Sequence, residues 1–264
     1  MDILGLGLPI TKVPYFEGAP SSPGEVGPAG TNVLWFDWTD RSTITMSGSL
    51  IESIDNKATI TPWDTYKLTA TSSQEPTLGS VGGQNNYSYS THDGTDKAYT
   101  LTDANGGNIS VNYGEDFTLV VVQDNDATGS TVSGMTGGRT PNGYAFRWSG
   151  ATLIGTVYAQ GGNASDSLNP VGTSEYDFGV AIQTVDNAND EIEVIFNGVA
   201  PNSPGTISGD PVNTVSNLLV GKANTAGQFY TGKIYEFMLY KAALTDVEIA
   251  QLHAYITNKY NFPI

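Results

Sequence analysis

The chain of 264 residues has no cysteine. Neither a disulfide nor a thiolate metal site is open to it, and its stability must come from packing and backbone ladders. Histidine is nearly as scarce. His92 and His253 are the only two, too few for a zinc site, and without cysteine they leave nucleophilic catalysis almost nothing to work with. Basic residues number 11 against 27 acidic ones, a formal charge of -16. Binding to a phosphate backbone needs a basic stripe, so nucleic acid is excluded as a partner. Long apolar runs are missing as well. The stretch from Ile3 to Ile10 is interrupted by Gly5, Gly7 and Pro9 and preceded by Asp2, which makes it too short for a bilayer span or the core of a signal peptide. The expectation is a protein that stays inside its producing cell or leaves by assembly into a particle.

What the chain has instead is turn chemistry and β formers. With 31 glycines and charged residues at 14%, its surface leans on Ser, Thr, Asn and backbone polarity, as where many turns join short strands. Runs rich in aromatic and β-branched residues begin at Asn32: residues 33–38, 43–46, 50–54 and 63–69, then 144–148, 151–158, 178–184 and 191–196. Residues 117–123, FTLVVVQ, are almost unbroken in apolar character and predict a central strand covered on both faces. Residues 84–96, QNNYSYSTHDGTD, are polar and turn-rich and read as a surface excursion. One large all-β domain suits this length, and the lack of a fixed repeat argues against a solenoid or propeller.

Residues 1–30 stand apart. Pro20, Pro23 and Pro28 with Gly24, Gly27 and Gly30 preclude a helix and interrupt a central strand, so an extended arm is expected, followed by one domain over residues 31–264. Ile3, Leu4, Leu6, Leu8, Ile10, Val13, Tyr15 and Phe16 are too apolar for a solvated tail. They read as the residues by which the arm docks on a partner protein.

The clearest pattern closes the chain. Ile234, Glu236, Met238 and Tyr240 alternate with Tyr235, Phe237 and Leu239, a period of two that predicts a strand with cover on both sides. Thr245 followed by Glu248 has the form of a capping box. Val247, Ile249, Leu252, Tyr255 and Ile256 then predict the buried face of a short amphipathic helix, with Asp246, Gln251 and Asn258 opposite.

These segments carry a resemblance. Residues 232–240, GKIYEFMLY, and 243–249, ALTDVEI, are similar to the closing segment of concanavalin A-like lectin/glucanase jelly rolls of the laminin-G-like group, as found in phage structural proteins. Residues 35–40, WFDWTD, with 42–45 and then 54–57, IDNK, resemble the opening blocks of the same modules, although the glycine-bearing turn of the second block is missing here. FTLVVVQ and the strand ending in Asn197-Gly198, itself a hairpin signal, resemble inner strands of the group. The resemblance covers roughly residues 31–262. It implies an all-β jelly-roll sandwich with an extended N-terminal arm and a short C-terminal helix. For function it implies a non-enzymatic structural and interaction protein, a phage virion component on a capsid or tail. The arm would hold it to other virion proteins, oligomeric in the assembly, and its lectin-like domain would serve glycan adhesion. A free carbohydrate-binding lectin, secreted or at a cell surface, is the alternative, and a glycoside hydrolase the second alternative.

No residue is assigned a catalytic role. Glu191 and Glu193 share one sheet face, as a pair of hydrolytic carboxylates would. The third acid of the superfamily's E-x-D-x-(x)-E pattern is replaced by Phe196 and Asn197, which favours a solvated strand face. No cofactor is required, but calcium fits two oxygen-rich turns, at Asp124 and Asp126 and at Asp186 and Asp190. Ordinary Asx turns explain the same residues. For glycans, Tyr87 and Tyr89 on the polar excursion and Trp148 are the ligand-binding candidates, while Trp35 and Phe117 read as core. His92 reads as a turn residue and His253 as helix surface.

Overall fold

The structure, a computed structural model, describes residues 18–79, 86–112, 114–126, 132–137, 143–159, 162–168, 178–201, 203–207, 215–223 and 228–262. In chain order the strands of the first half are β1 Asn32–Asp37, β2 Ile44–Ser47, β3 Leu50–Asp55, β4 Lys67–Thr69, β5 Thr77–Gly79, β6 Tyr89–Asp93, β7 Tyr99–Thr102, β8 Ser110–Asn112 and β9 Phe117–Asn125. Those of the second half are β10 Val132–Gly137, β11 Gly143–Ser149, β12 Thr152–Ala159, β13 Gly162–Leu168, β14 Phe178–Asp186, β15 Glu191–Phe196, β16 Gly205–Thr206, β17 Val215–Asn217, β18 Leu219–Val220 and β19 Thr231–Tyr240. The helix α1, Asp246–Tyr260, follows.

The strands pair antiparallel into two layers. The first runs β19–β9–β14–β15–β16, with β1 and β6 sharing the free edge of β19. The second runs β2–β3–β4–β7–β18–β10–β11–β12–β13. The short β5 pairs with both β6 and β3 and so links the layers. At the opposite side Asp166 of β13 accepts the Val194 N–H of β15 at 3.0 Å.

Between the layers lies the main core, where Phe36, Trp38, Leu119, Val121, Phe146 and Phe237 meet. The other face of the first layer is also covered: Val120, Val122, Val180, Ile182 and Met238 pack beneath Ile249, Leu252 and Ile256 of α1. Cover on both faces explains the continuous apolar run of β9, as its sequence predicts. The architecture is an all-β sandwich of jelly-roll type closed by one short helix.

Four details depart from the sequence reading. Residues 18–30, the described part of the leader, fold onto the domain rather than extending from it. Pro23–Glu25 form a 3-10 turn, Val26 is buried in the cluster under α1, and Tyr240 donates its hydroxyl to the Pro23 carbonyl at 3.0 Å. Tyr89–Asp93 are a strand between β19 and β5, not a surface excursion, and His92 is buried within it. The capping box of Thr245 and Glu248 forms as read, but Val247 lies on the solvent side of α1 and is 69% exposed. In β19 a bulge between Ile234 and Glu236 breaks the alternation, so Tyr235 joins the helix-facing side and Ile234 the main core.

Candidate functional site

The outer face of β1 presents Trp35 and Asp37, because Leu34, Phe36 and Trp38 take the inner face. The segment after β3 is pinned against them by one amide. Asn56 accepts from Trp35 N at 2.8 Å and Ala58 N at 3.1 Å, and donates to the Val33 and Trp63 carbonyls at 2.9 and 2.8 Å. That clamp places Lys57 beside Asp37 at 3.0 Å. From the other side α1 contributes Tyr255, Asn258 and Lys259, and residues 19–21 form the lip. The result is a groove of about 470 Å³, adjoined by a smaller hollow of about 180 Å³ that shares Trp35 and Lys57. Trp35 is half-buried, and the Lys57 ammonium lies 4.3 Å from its ring centroid.

Behind the groove stands a buried charge cluster. Glu236 is fully buried and accepts four hydrogen bonds: from Lys259 at 2.9 Å, Tyr260 OH at 2.7 Å, Tyr255 OH at 2.9 Å and Trp35 Nε1 at 2.8 Å. Asp37 is 3.0 Å from Lys57 and 2.9 Å from Lys259, and also accepts from Thr39 N and Oγ1. Burial pushes the Asp37 carboxyl up, but the two ammonium groups and Thr39 outweigh it and hold it below the usual carboxylate range. For Glu236 burial wins, reinforced by the Asp37 charge, and its carboxyl lies above the usual range in spite of Lys259. Burial, with Glu236 and Asp37 close by, also raises the Tyr255 and Tyr260 hydroxyls, which remain neutral donors. The arrangement offers a rigid half-exposed indole whose polar edge is already satisfied, flanked by ammonium, carboxylate and amide groups.

The site candidates named from sequence lie elsewhere. Tyr89 and Trp148 are buried, Trp148 completely, its ring edge-on to Phe196 at 5.1 Å, so neither is a surface platform. Tyr87 is half-buried and packs edge-on against Tyr260 at 5.3 Å. Ile3, Leu4, Leu6, Leu8, Ile10, Val13, Tyr15 and Phe16 lie outside the described residues. Asp124 forms an ion pair with Lys233 at 2.6 Å, and Asp126 stands beside it with its carboxyl raised by burial and by the Asp124 charge. Asp186 accepts from Asn189 N and Nδ2 within its own turn, and Asp190 is exposed with φ 56°. Because Asp124 pairs with Phe178 and Phe117 with Val185, the two acidic turns sit at opposite ends of the layer and cannot share a cation. Among the described residues no group of three or more His, Asp or Glu side chains is placed to hold a metal ion.

Glu191 and Glu193 do share a face, where they line a hollow of about 170 Å³ with Asp186 and Asp246. Glu191 is exposed and Glu193 half-buried. Burial, then Asp246, Asp166 and Glu191, raises the Glu193 carboxyl. His92 is locked in the interior, its Nδ1 on the Lys97 carbonyl at 3.0 Å and its Nε2 on Ser90 at 3.1 Å, which rules out a turn role. His253 is half-buried rather than fully on the surface.

Trp35, Asp37, Lys57, Glu236 and Lys259 were thus missed as a group, and Trp35 read as core is the plainest miss. A signal for it exists: in VLWFDW the indole of Trp35 has the same parity as the charged Asp37, whereas Leu34, Phe36 and Trp38 form the uniformly apolar face.

No family model matches the chain, and no curated protein matches it in sequence. Solved structures match it in fold. The binding domain of Paraclostridial Mosquitocidal Protein 1 superposes with a TM-score of 0.60 at 11% identity, over 84% of this chain and 52% of that one. Domain 4 of AbnA, a GH43 extracellular arabinanase from Geobacillus stearothermophilus solved with arabinotriose, gives 0.55 at 14%, over 84% and 98%. A Trypanosoma rangeli sialidase gives 0.55 at 14%, over 86% of this chain and 33% of that one. The chain spans about half the length of the toxin binding domain and nearly all of the arabinanase domain. At such identities the likeness is one of fold.

Proposed function

We propose that this chain is a non-catalytic carbohydrate-binding module that seats a saccharide in the groove at Trp35. The observation that carries the reading is the half-exposed indole, held from behind by Glu236, in a groove also lined by Asp37, Lys57, Asn258 and Lys259. A sugar ring presents an apolar face and a rim of hydroxyls. A fixed aromatic plane matches the first, and charged and amide groups at its margin match the second, at little ordering cost. The arabinanase domain with the same fold was solved with arabinotriose, which agrees with this assignment. No cation enters the reading.

The test is a glycan-array screen of the full chain followed by calorimetry on the best saccharide. Trp35→Ala is expected to weaken binding about tenfold or more, while Val199→Ser, at an exposed valine away from the groove, leaves it unchanged. Absence of saccharide binding, or equal affinity in folded Trp35→Ala, overturns the reading.

A finer reading rests on the composition of residues 3–16: the module is a laminin-G-like adhesin displayed on a phage-like virion, anchored by its apolar leader. Co-purification with assembled particles, lost on deletion of residues 1–17 without loss of the fold, is the outcome expected of it.

A further inference from the structure

Asp37 and Glu236 are cross-strand partners on β1 and β19, and both are buried. Lys259, in the last turn of α1, places its Nζ 2.9 Å from Asp37 Oδ2 and 2.9 Å from Glu236 Oε1. An amine, a carboxyl it can attack and a second carboxyl that can carry a proton are therefore held together, the two carboxyls buried and the amine at the wall of the groove. We propose that Lys259 and Asp37 condense into an intramolecular amide that ties the last helix covalently to the first strand, with Glu236 as the proton carrier.

The step balances without any co-reactant. Glu236 takes one proton from the Lys259 ammonium and passes it to Oδ2 of Asp37, so that a neutral amine meets a neutral carboxyl. The Nζ lone pair attacks Cγ of Asp37, and the charge that develops on Oδ1 is met by two donors already in place, Thr39 N at 3.0 Å and Thr39 Oγ1 at 2.6 Å. The Cγ–Oδ2 bond then breaks. Oδ2 departs as water with the proton received from Glu236 and a second proton given up by Nζ, and the third proton remains on the new amide, where it donates to Glu236. An ammonium and a carboxylate become one neutral group and one water.

Two physical effects drive the reaction in this place. Fixing amine and carboxyl in contact makes a normally bimolecular encounter intramolecular. Replacing a buried ion pair by an amide removes two charges whose desolvation opposes folding. Lys57 also touches Asp37 Oδ2, at 3.0 Å, but is tied by Asp40 at 2.9 Å. Burial opposes the charge on Lys57, but Asp37 and Asp40 outweigh it, so Lys57 stays an ammonium and steadies the departing oxygen. Burial also raises the Glu236 carboxyl, which favours its role as carrier. Burial opposes the charge on Lys259, but Glu236 and Asp37 outweigh it and hold the ammonium, and Asp37 is likewise held ionised, which makes proton transfer the slow step. The bond therefore matures after folding. In a chain without cysteine it supplies a cross-link indifferent to redox conditions, spanning 222 residues of sequence.

The test is the intact mass of the full chain under denaturing conditions, followed over time after purification. The wild type is expected to become lighter by one water, and its digest to contain one branched fragment joining the Asp37 and Lys259 segments. Lys259→Arg and Glu236→Gln, each checked for folding by near-ultraviolet circular dichroism, are expected to keep the full mass and yield no branched fragment. Wild-type protein that is folded, aged and still of full mass overturns the proposal, whatever the variants do. A branched fragment joining Asp37 to Lys57 overturns it as well. The bond is read by mass and saccharide binding by calorimetry, so failure of one reading is distinguishable from failure of the other; condensation leaves an amide in place of the Asp37 and Lys259 charges in the groove.

Discussion

The indole N–H of Trp35 donates to Oε2 of Glu236 at 2.8 Å, so the one tryptophan that reaches the groove is fixed from behind by a carboxylate with no exposure to water. The same carboxylate also takes Lys259 and the hydroxyls of Tyr255 and Tyr260, and so fastens α1 to β19. Breaking a buried pair from one side leaves the other charge uncompensated. Glu236→Ala is expected to destabilise the fold by about 3–5 kcal/mol, read as a lower urea midpoint. It should weaken saccharide binding as well, since the ring loses its anchor. A variant as stable as the wild type would show that α1 is held by apolar packing alone.

His92 sets an acid limit. Burial lowers its imidazole to about 4, against 6.5 in the free side chain. As pH falls below about 6.5 the unfolded chain binds a proton that the folded chain refuses. The stability contributed by the neutral ring is thus present above that pH and lost on the way down to about 4, a loss of roughly 3 kcal/mol. Glu236, with its carboxyl raised, works in the opposite sense, so the His92 effect must be isolated. The stability difference between wild type and His92→Gln, from urea midpoints, is expected to shrink as pH drops from about 7 to 4.5. The His92 ring protons should not titrate near neutral pH, and a midpoint near 6.5 in their chemical shifts would contradict the burial argument.

Gln183 invites a stabilising change. It is fully buried on β14 between Ala181 and Val185, which face the main core, and neither amide atom meets a hydrogen-bonding group among the described residues. A buried amide without partners costs about 1–3 kcal/mol. Gln183→Leu, close in volume, is expected to raise the melting temperature by several degrees. A lower melting temperature would mean that the amide is satisfied in solution.

Much of the fold is legible in the order of residues. FTLVVVQ announces a strand without a solvent face, Asn197-Gly198 ends β15 with both residues at positive φ, and Thr245 with Glu248 marks the start of α1. These signals are local: each depends on side-chain parity, turn geometry or capping within a few residues. The polar look of residues 84–96 misled for the same reason, because Ser90 and His92 satisfy each other and Tyr99 across the core, where no local pattern shows it.

The sequence alone determined that this protein is a cysteine-free all-β chain with a helical close, since composition and period need no partner to be read. Only the tertiary structure decided which tryptophan is presented. It did so through the register that sets Asp37 of β1 opposite Glu236 of β19, within reach of the Trp35 indole, and through a helix whose Lys259 reaches a carboxylate 222 positions earlier in the chain. Parity within one strand is a local property. The meeting of Asp37, Glu236 and Lys259 is set by sheet register and helix docking, which no segment carries by itself.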